Sequence, residues 1–175
     1  WSMLIGSERA FQQGRFAEAQ SRAVEAERIA DRLALPSNTQ ATLAWSGLLQ
    51  IVTETDYAEG ERRCRQALAI HAPQDWGIGD ARLHATIGLI LAAHHVGDQA
   101  AARDHYKTLV ELLDALGVYV TMERFPALAV LGSLLLAGAG HDERAAEVLA
   151  ALHRLPRVQD DWVLSWLGQI RLLER

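Results

Sequence analysis

The stretch "AAHHVGDQAAARDHY", residues 92–106, holds three histidines and two aspartates around a central Gly-Asp pair. It reads either as a cluster of ligands or as a bend between two helices. Three other segments decide between these: "QQGRFAEAQSRAVEA" (12–26), "TETDYAEGERRCRQA" (53–67) and "GAGHDERAAEVLAAL" (138–152) follow the same plan. Each has a short break, at Gly14-Arg15, Thr55-Asp56, Gly97-Asp98 and Gly140-His141, and then a helical run. A small residue sits a few positions into each run: Ala19, Gly60, Ala102 and Ala145, at intervals of 41, 42 and 43 residues. Near-constant spacing of this kind marks a repeat. The shared features of 92–106 are Gly97, Asp98 and Ala102; its histidines have no counterparts in the sister segments.

Around each break the composition is that of helices, rich in Ala, Leu, Glu, Arg and Gln, with no alternating β-branched run to suggest a strand. Apolar-rich first helices are expected over about 1–13, 38–54, 79–96 and 124–139, and second helices over about 16–34, 57–72, 99–116 and 142–154. Glycine at the break supplies the left-handed backbone that ends a helix, and a following Asp can cap the next. So short a break turns the second helix antiparallel to the first. The small residue then lets the two backbones approach. "LALPSNT" (33–39), "HAPQDWGIGD" (71–80), "DALGVYVTMERFP" (114–126) and "LPRVQDD" (155–161) carry the turn residues between units. The units run about 1–36, 37–77, 78–120 and 121–157, with a terminal helix in 158–175. The expected fold is all-α: a right-handed solenoid of antiparallel helix pairs, about nine helices in one domain spanning 1–175.

Composition narrows the function. Hydrophobic residues make up 50% and charged ones 22%, as in a globular chain. A net charge of −5, with Lys107 the only lysine and the arginines scattered, argues against a nucleic-acid surface. Cys64 is the only cysteine, so neither an internal disulfide nor a thiolate zinc cluster can form, which suits a reducing cytoplasm. The chain starts at Trp1, which suggests a piece of a longer protein. The apolar run 125–140 is shorter than a membrane span and reads as a buried helix, covered by the last helix or by a second subunit.

The breaks carry a resemblance. "GRFAEA" (14–19) matches the hinge signature of the tetratricopeptide repeat, a Gly or Asn, a polar residue, an aromatic, two variable positions and Ala. "TDYAEG" (55–60) matches with Gly60 in place of Ala, "GDQAAA" (97–102) lacks the aromatic, and "GHDERA" (140–145) keeps Gly and Ala. The family's small first-helix position falls on Ser7 and Ser133, and on Leu48 and Ile90 in the other two units, a departure. Units of about 42 residues exceed the family's usual length of about 34. They are similar to the repeat regions of large bacterial signal-transduction ATPases and transcription regulators, as is the phrase "QDWGIGDARLHATIGLILAAHHVGD" (74–98). The resemblance implies a sensor or partner-binding arm of such a regulator; neither a phosphate loop nor a basic recognition helix is present in the sequence.

In that family the first helices line a concave face. The resemblance therefore implies a groove formed by Phe11 and Gln12 in unit one, with Leu4 and Glu8 beside them. Unit two contributes Thr42, Trp45, Leu49 and Val52, with Thr53, and unit three contributes His84, Ile87, Leu91, His94 and His95. Such a groove, apolar with a polar rim, suits a protein or peptide partner. The competing reading is that Trp45 and Ile87 pack between helices, the default for apolar residues at helical spacing. His94 and His95 point about 100° apart on a helix and cannot pair as i, i+4 metal ligands. With no HExxH pattern the histidines read as surface or groove residues, and neither metal nor cofactor is expected. Glu59–Arg63 and Asp142–Arg144 read as solvated ion pairs, and Cys64 as a buried small hydrophobe. No Gly-x-Ser-x-Gly elbow is present, so no enzyme is expected. The alternatives to a peptide-binding scaffold are a sensor holding a small effector between repeats and a homodimerisation module, with no direct nucleic-acid or membrane role.

Overall fold

The computed structural model describes residues 2–71 and 78–116. Among these, six helices and no strand are found: α1 (Ser2–Gln12), α2 (Phe16–Leu33), α3 (Pro36–Val52), α4 (Tyr57–Ala69), α5 (Ile78–Val96) and α6 (Gln99–Leu116). The helices expected at 124–139, 142–154 and 160–174, the apolar run 125–140, Ser133, the Asp142–Arg144 pair and Trp1, Trp76, Trp162 and Trp166 lie outside the described residues. The chain divides into two compact units, Trp1–His105 and Tyr106–Arg175; the second is described only along the end of α6.

All three described breaks close in the same way. After α1, the Gly14 N–H donates to Phe11 O at 2.9 Å and the Arg15 N–H to Ala10 O at 2.9 Å. After α3, Glu54 donates to Ile51 O at 3.1 Å and Thr55 to Gln50 O at 3.0 Å. After α5, Gly97 donates to His94 O at 3.1 Å and Asp98 to Ala93 O at 2.9 Å. This paired 5→2 and 6→1 closure requires one left-handed residue. Gly14 (φ 71°) and Gly97 (φ 75°) fill that position as expected, whereas in unit two Glu54 adopts φ 54° without being a glycine. Capping follows: Asp56 accepts from the Glu59 N–H at 3.0 Å, and Asp98 from the Ala100 and Ala101 N–H groups at 3.1 and 3.0 Å. Arg15 offers no side-chain cap. Helix α3 starts at Pro36, ahead of the expected 38, because proline's fixed φ is tolerated at the first helical position.

The second helices are amphipathic through small residues. Helix α2 buries Ala19, Ala23, Ala26 and Ala30, and α4 buries Gly60, Cys64 and Ala67, at i, i+4 and i+7 spacing. Helices α3 and α5 are instead buried over most of their circumference: Gln40 to Leu49 in α3 is covered except for half-buried Leu43, and Ala81 to Ala93 in α5 except for Arg82 and Leu91. Helix α3 packs against α2, α4 and α5, and α4 also meets α5.

The tightest point of this packing corrects the assignment of Leu48 and Ile90 to the small first-helix position. Those two are buried core residues; in unit two the small residue against the second helix is Gly47, and Gly88 of α5 instead meets the preceding unit. A Cβ on Gly47 would stand 2.8 Å from both Gly60 O and Cys64 Sγ, and one on Gly60 would stand 2.7 Å from Ile51 Cγ1. On Gly88 it would reach Cys64 Sγ at 2.6 Å. Helices α3 and α5 therefore both close on Cys64 of α4 because Gly47 and Gly88 carry no side chain.

Candidate functional site

Of the residues expected to line a groove, Phe11, Thr42, Trp45, Leu49, His84 and Ile87 are buried, as is Leu4. Phe11 of α1, Trp45 of α3 and His84 of α5 form a line of rings edge to face, with centroids 5.7 Å and 5.4 Å apart. Phe16 continues it beyond Phe11 at 5.4 Å. The Trp45 indole Nε1 donates to Ser7 Oγ at 2.8 Å, and that hydroxyl donates to Ala19 O at 2.6 Å. A buried indole needs a partner for its N–H; here it finds one in the neighbouring helix pair. Trp45 thus ties three successive first helices together. Thr42 Oγ1 is turned back on its own helix, donating to Asn38 O at 3.0 Å.

The accessible members of the set lie toward the hinges. Val52, Thr53, Leu91 and Glu8 are half-buried, and His94 and His95 are exposed; Gln12 closes α1, its side chain outside the described part. His95 stacks flat on Tyr57, the aromatic of the preceding unit's hinge, with centroids 3.6 Å apart and planes 5° from parallel. Gln20 Nε2 reaches Thr53 Oγ1 at 3.2 Å and Thr55 Oγ1 at 3.3 Å, linking α2 to the second hinge. This hinge edge therefore joins one unit to the next by side chains that sequence spacing did not relate. Burial, helped by the Glu54 carboxylate, pushes the Tyr57 phenol above its ordinary range. Burial and the nearby Arg65 hold the His105 imidazole below its ordinary range. His94 and His95 both sit in the last turn of α5. Among the described residues no three His, Cys, Asp or Glu side chains converge to hold a metal ion.

A second feature was not visible in the sequence. Between the start of α1, the end of α2 and the start of α3 lies a pocket of about 90 Å³. Leu4, Ala26, Ala30 and Ala41 form its buried floor, Met3, Ile29 and Leu33 its walls, and Ser2, Asn38 and Thr42 its polar groups. Its ten residues come from three helices up to 40 positions apart, so no local motif signals it.

Arg63 marks a third junction. Its guanidinium pairs with Glu27 of α2, donates to Ser46 Oγ of α3 at 3.1 Å and bonds Glu59 within α4 at 2.7 Å. The expected Glu59–Arg63 pair is present; with Arg62 beside it, Glu59 is held down at a pKa of about 2. Cys64 is fully buried, as expected, and burial pushes its thiol up to about 12. A thiol so protonated is a packing group and not a nucleophile.

Comparison of the chain with protein-family models, with curated proteins and with solved structures finds no match. The class that the described residues define is therefore read from their own geometry: an all-helical arrangement in which α1, α3 and α5 each end in the same left-handed turn. Among the described residues no helix is long and apolar enough to cross a membrane.

Proposed function

We propose that this chain is a tetratricopeptide-like repeat array, a right-handed solenoid of four helix pairs and a terminal helix, that binds a protein or peptide partner. In this reading it serves as a cytoplasmic regulatory arm of a multidomain bacterial regulator and acts by binding, not by catalysis. The observation that carries the proposal is the recurrence of one hinge: the same paired closure at Gly14, Glu54 and Gly97, each followed by a helix whose fourth residue is small and buried. Stacked identical hairpins serve to build an extended surface, because each adds area without changing its neighbour's fold. Recognition falls to the accessible residues near the hinges, Val52, Leu91, His94 and His95, while Phe11, Trp45 and Ile87 hold the scaffold that presents them.

A peptide-display selection against the whole chain, followed by titration of the enriched peptides, tests this. Exposed His94 and His95 are replaced together, His94→Glu with His95→Glu, in a chain whose helicity is checked by circular dichroism. Loss of about tenfold or more in affinity is expected. A selection that enriches no peptide, or affinity unchanged in the double variant, overturns the reading.

A further inference from the structure

We infer that the pocket between α1, α2 and α3 is a binding site for a short branched aliphatic group of about four carbons attached to a neutral amide. Size sets the apolar part. An apolar cavity of about 150 Å³ accommodates a six-carbon ring, so the space of about 90 Å³ here suits an isobutyl-sized group. The floor is aliphatic and buried: Leu4, Ala26, Ala30 and Ala41 are each 7% exposed or less. Ala26 and Ala30 belong to the alanine stripe of α2, and with Ala41 of α3 their short side chains leave the space open.

The polar part follows from what the lining lacks and offers. None of the ten lining residues is charged, so the lining offers a charged head no ion pair. A neutral head that can both donate and accept is therefore the better match. The Asn38 carboxamide and the Ser2 hydroxyl make no hydrogen bond to a described residue. Thr42 Oγ1 spends its proton on Asn38 O and keeps a lone pair to accept. Asn38 supplies both a donor and an acceptor, the complement of an amide, which has both. Leu33, 54% exposed, stands at the mouth where the head meets solvent. The site lies between the first helix pair and the first helix of the next, so occupancy would bridge two units. It shares no residue with the hinge surface proposed for partner binding and stands or falls separately.

Ligand-observed and protein-observed NMR on the whole chain tests the inference with 3-methylbutanamide as probe. Saturable binding is expected, with 3-methylbutanoate binding at least about tenfold more weakly. Ala26→Leu fills the floor and Leu33→Trp blocks the mouth from an exposed position that the fold does not need. Circular dichroism confirms the helicity of both, and each is expected to weaken the amide by about tenfold or more. No saturable binding, equal affinity for the carboxylate, or unchanged binding in a folded Leu33→Trp chain overturns the inference. N-acetyl-leucinamide separates the sources of the group. Binding as tight as the free amide assigns the pocket to a leucine side chain of a peptide, and weaker binding assigns it to a small molecule.

Discussion

Cys64 shows what a single residue does here. Its sulfur occupies the space left where Gly47 of α3 and Gly88 of α5 lack a side chain, so it packs three helices together. Burial pushes its pKa from 9.0 to about 12. The unfolded chain therefore releases the thiol proton at lower pH than the folded chain does. The stabilising contribution is complete below pH 9 and is lost as pH rises from there toward 12. Between pH 8 and pH 10 the urea-unfolding free energy should fall by about 1 kcal/mol more in the native sequence than in Cys64→Ala. Parallel pH dependence in the two chains would contradict the assigned burial. That the residue is buried was legible from its helical position. That Gly47 and Gly88 flank it was not, because they lie on two other helices and each looks like a breaker in its own context.

At the scale of elements the hinges show where sequence signals succeed and where they fail. Gly14 and Gly97 were readable, since glycine is the residue a left-handed turn favours. Glu54 was not: it takes the same conformation with nothing in its type to announce it, and the break in unit two was placed one residue later, at Thr55-Asp56. A side chain in left-handed backbone costs about 1 kcal/mol, while glycine loses somewhat less than that through the freedom of the unfolded chain. Glu54→Gly should accordingly stabilise the protein slightly, by about 0.5 kcal/mol in urea unfolding. Destabilisation of that size or more would show that Glu54 is held by contacts that outweigh its backbone strain. The start of α3 has a similar lesson. Pro36 was read as a turn residue, but at the first helical position it begins the helix.

Across the described molecule, the line Phe11, Trp45 and His84 decides how the set proposed as a groove divides between scaffold and surface. Trp45 is 5% exposed and bonded through Ser7 to the preceding pair, so its loss should act on the whole fold. Trp45→Ala should lower the urea-unfolding free energy by about 3–5 kcal/mol. His94→Glu, at an exposed site, should leave it within about 0.5 kcal/mol. Equal effects in the two variants would refute the division. Sequence spacing placed Trp45 and His94 on one helical face in the repeat pattern, and there the two looked alike. Period reports that a side chain faces something; it does not say whether that is solvent or the next helix.

What the sequence determined by itself is what depends on a few consecutive residues: the helices of the described residues, the breaks at Gly14-Arg15, Thr55-Asp56 and Gly97-Asp98, the small residue after each, and its spacing of 41 and 42 residues. The hydrogen bonds that make a hinge close within six residues, so the information for them is local. The tertiary structure alone decided the burial of Phe11, Trp45 and Ile87, the stacking of His95 on Tyr57, and the pocket of about 90 Å³. Each of these joins residues about 30 to 40 positions apart on different helices. Solvent exclusion there depends on how helices meet, and no short window of sequence contains both sides of a contact.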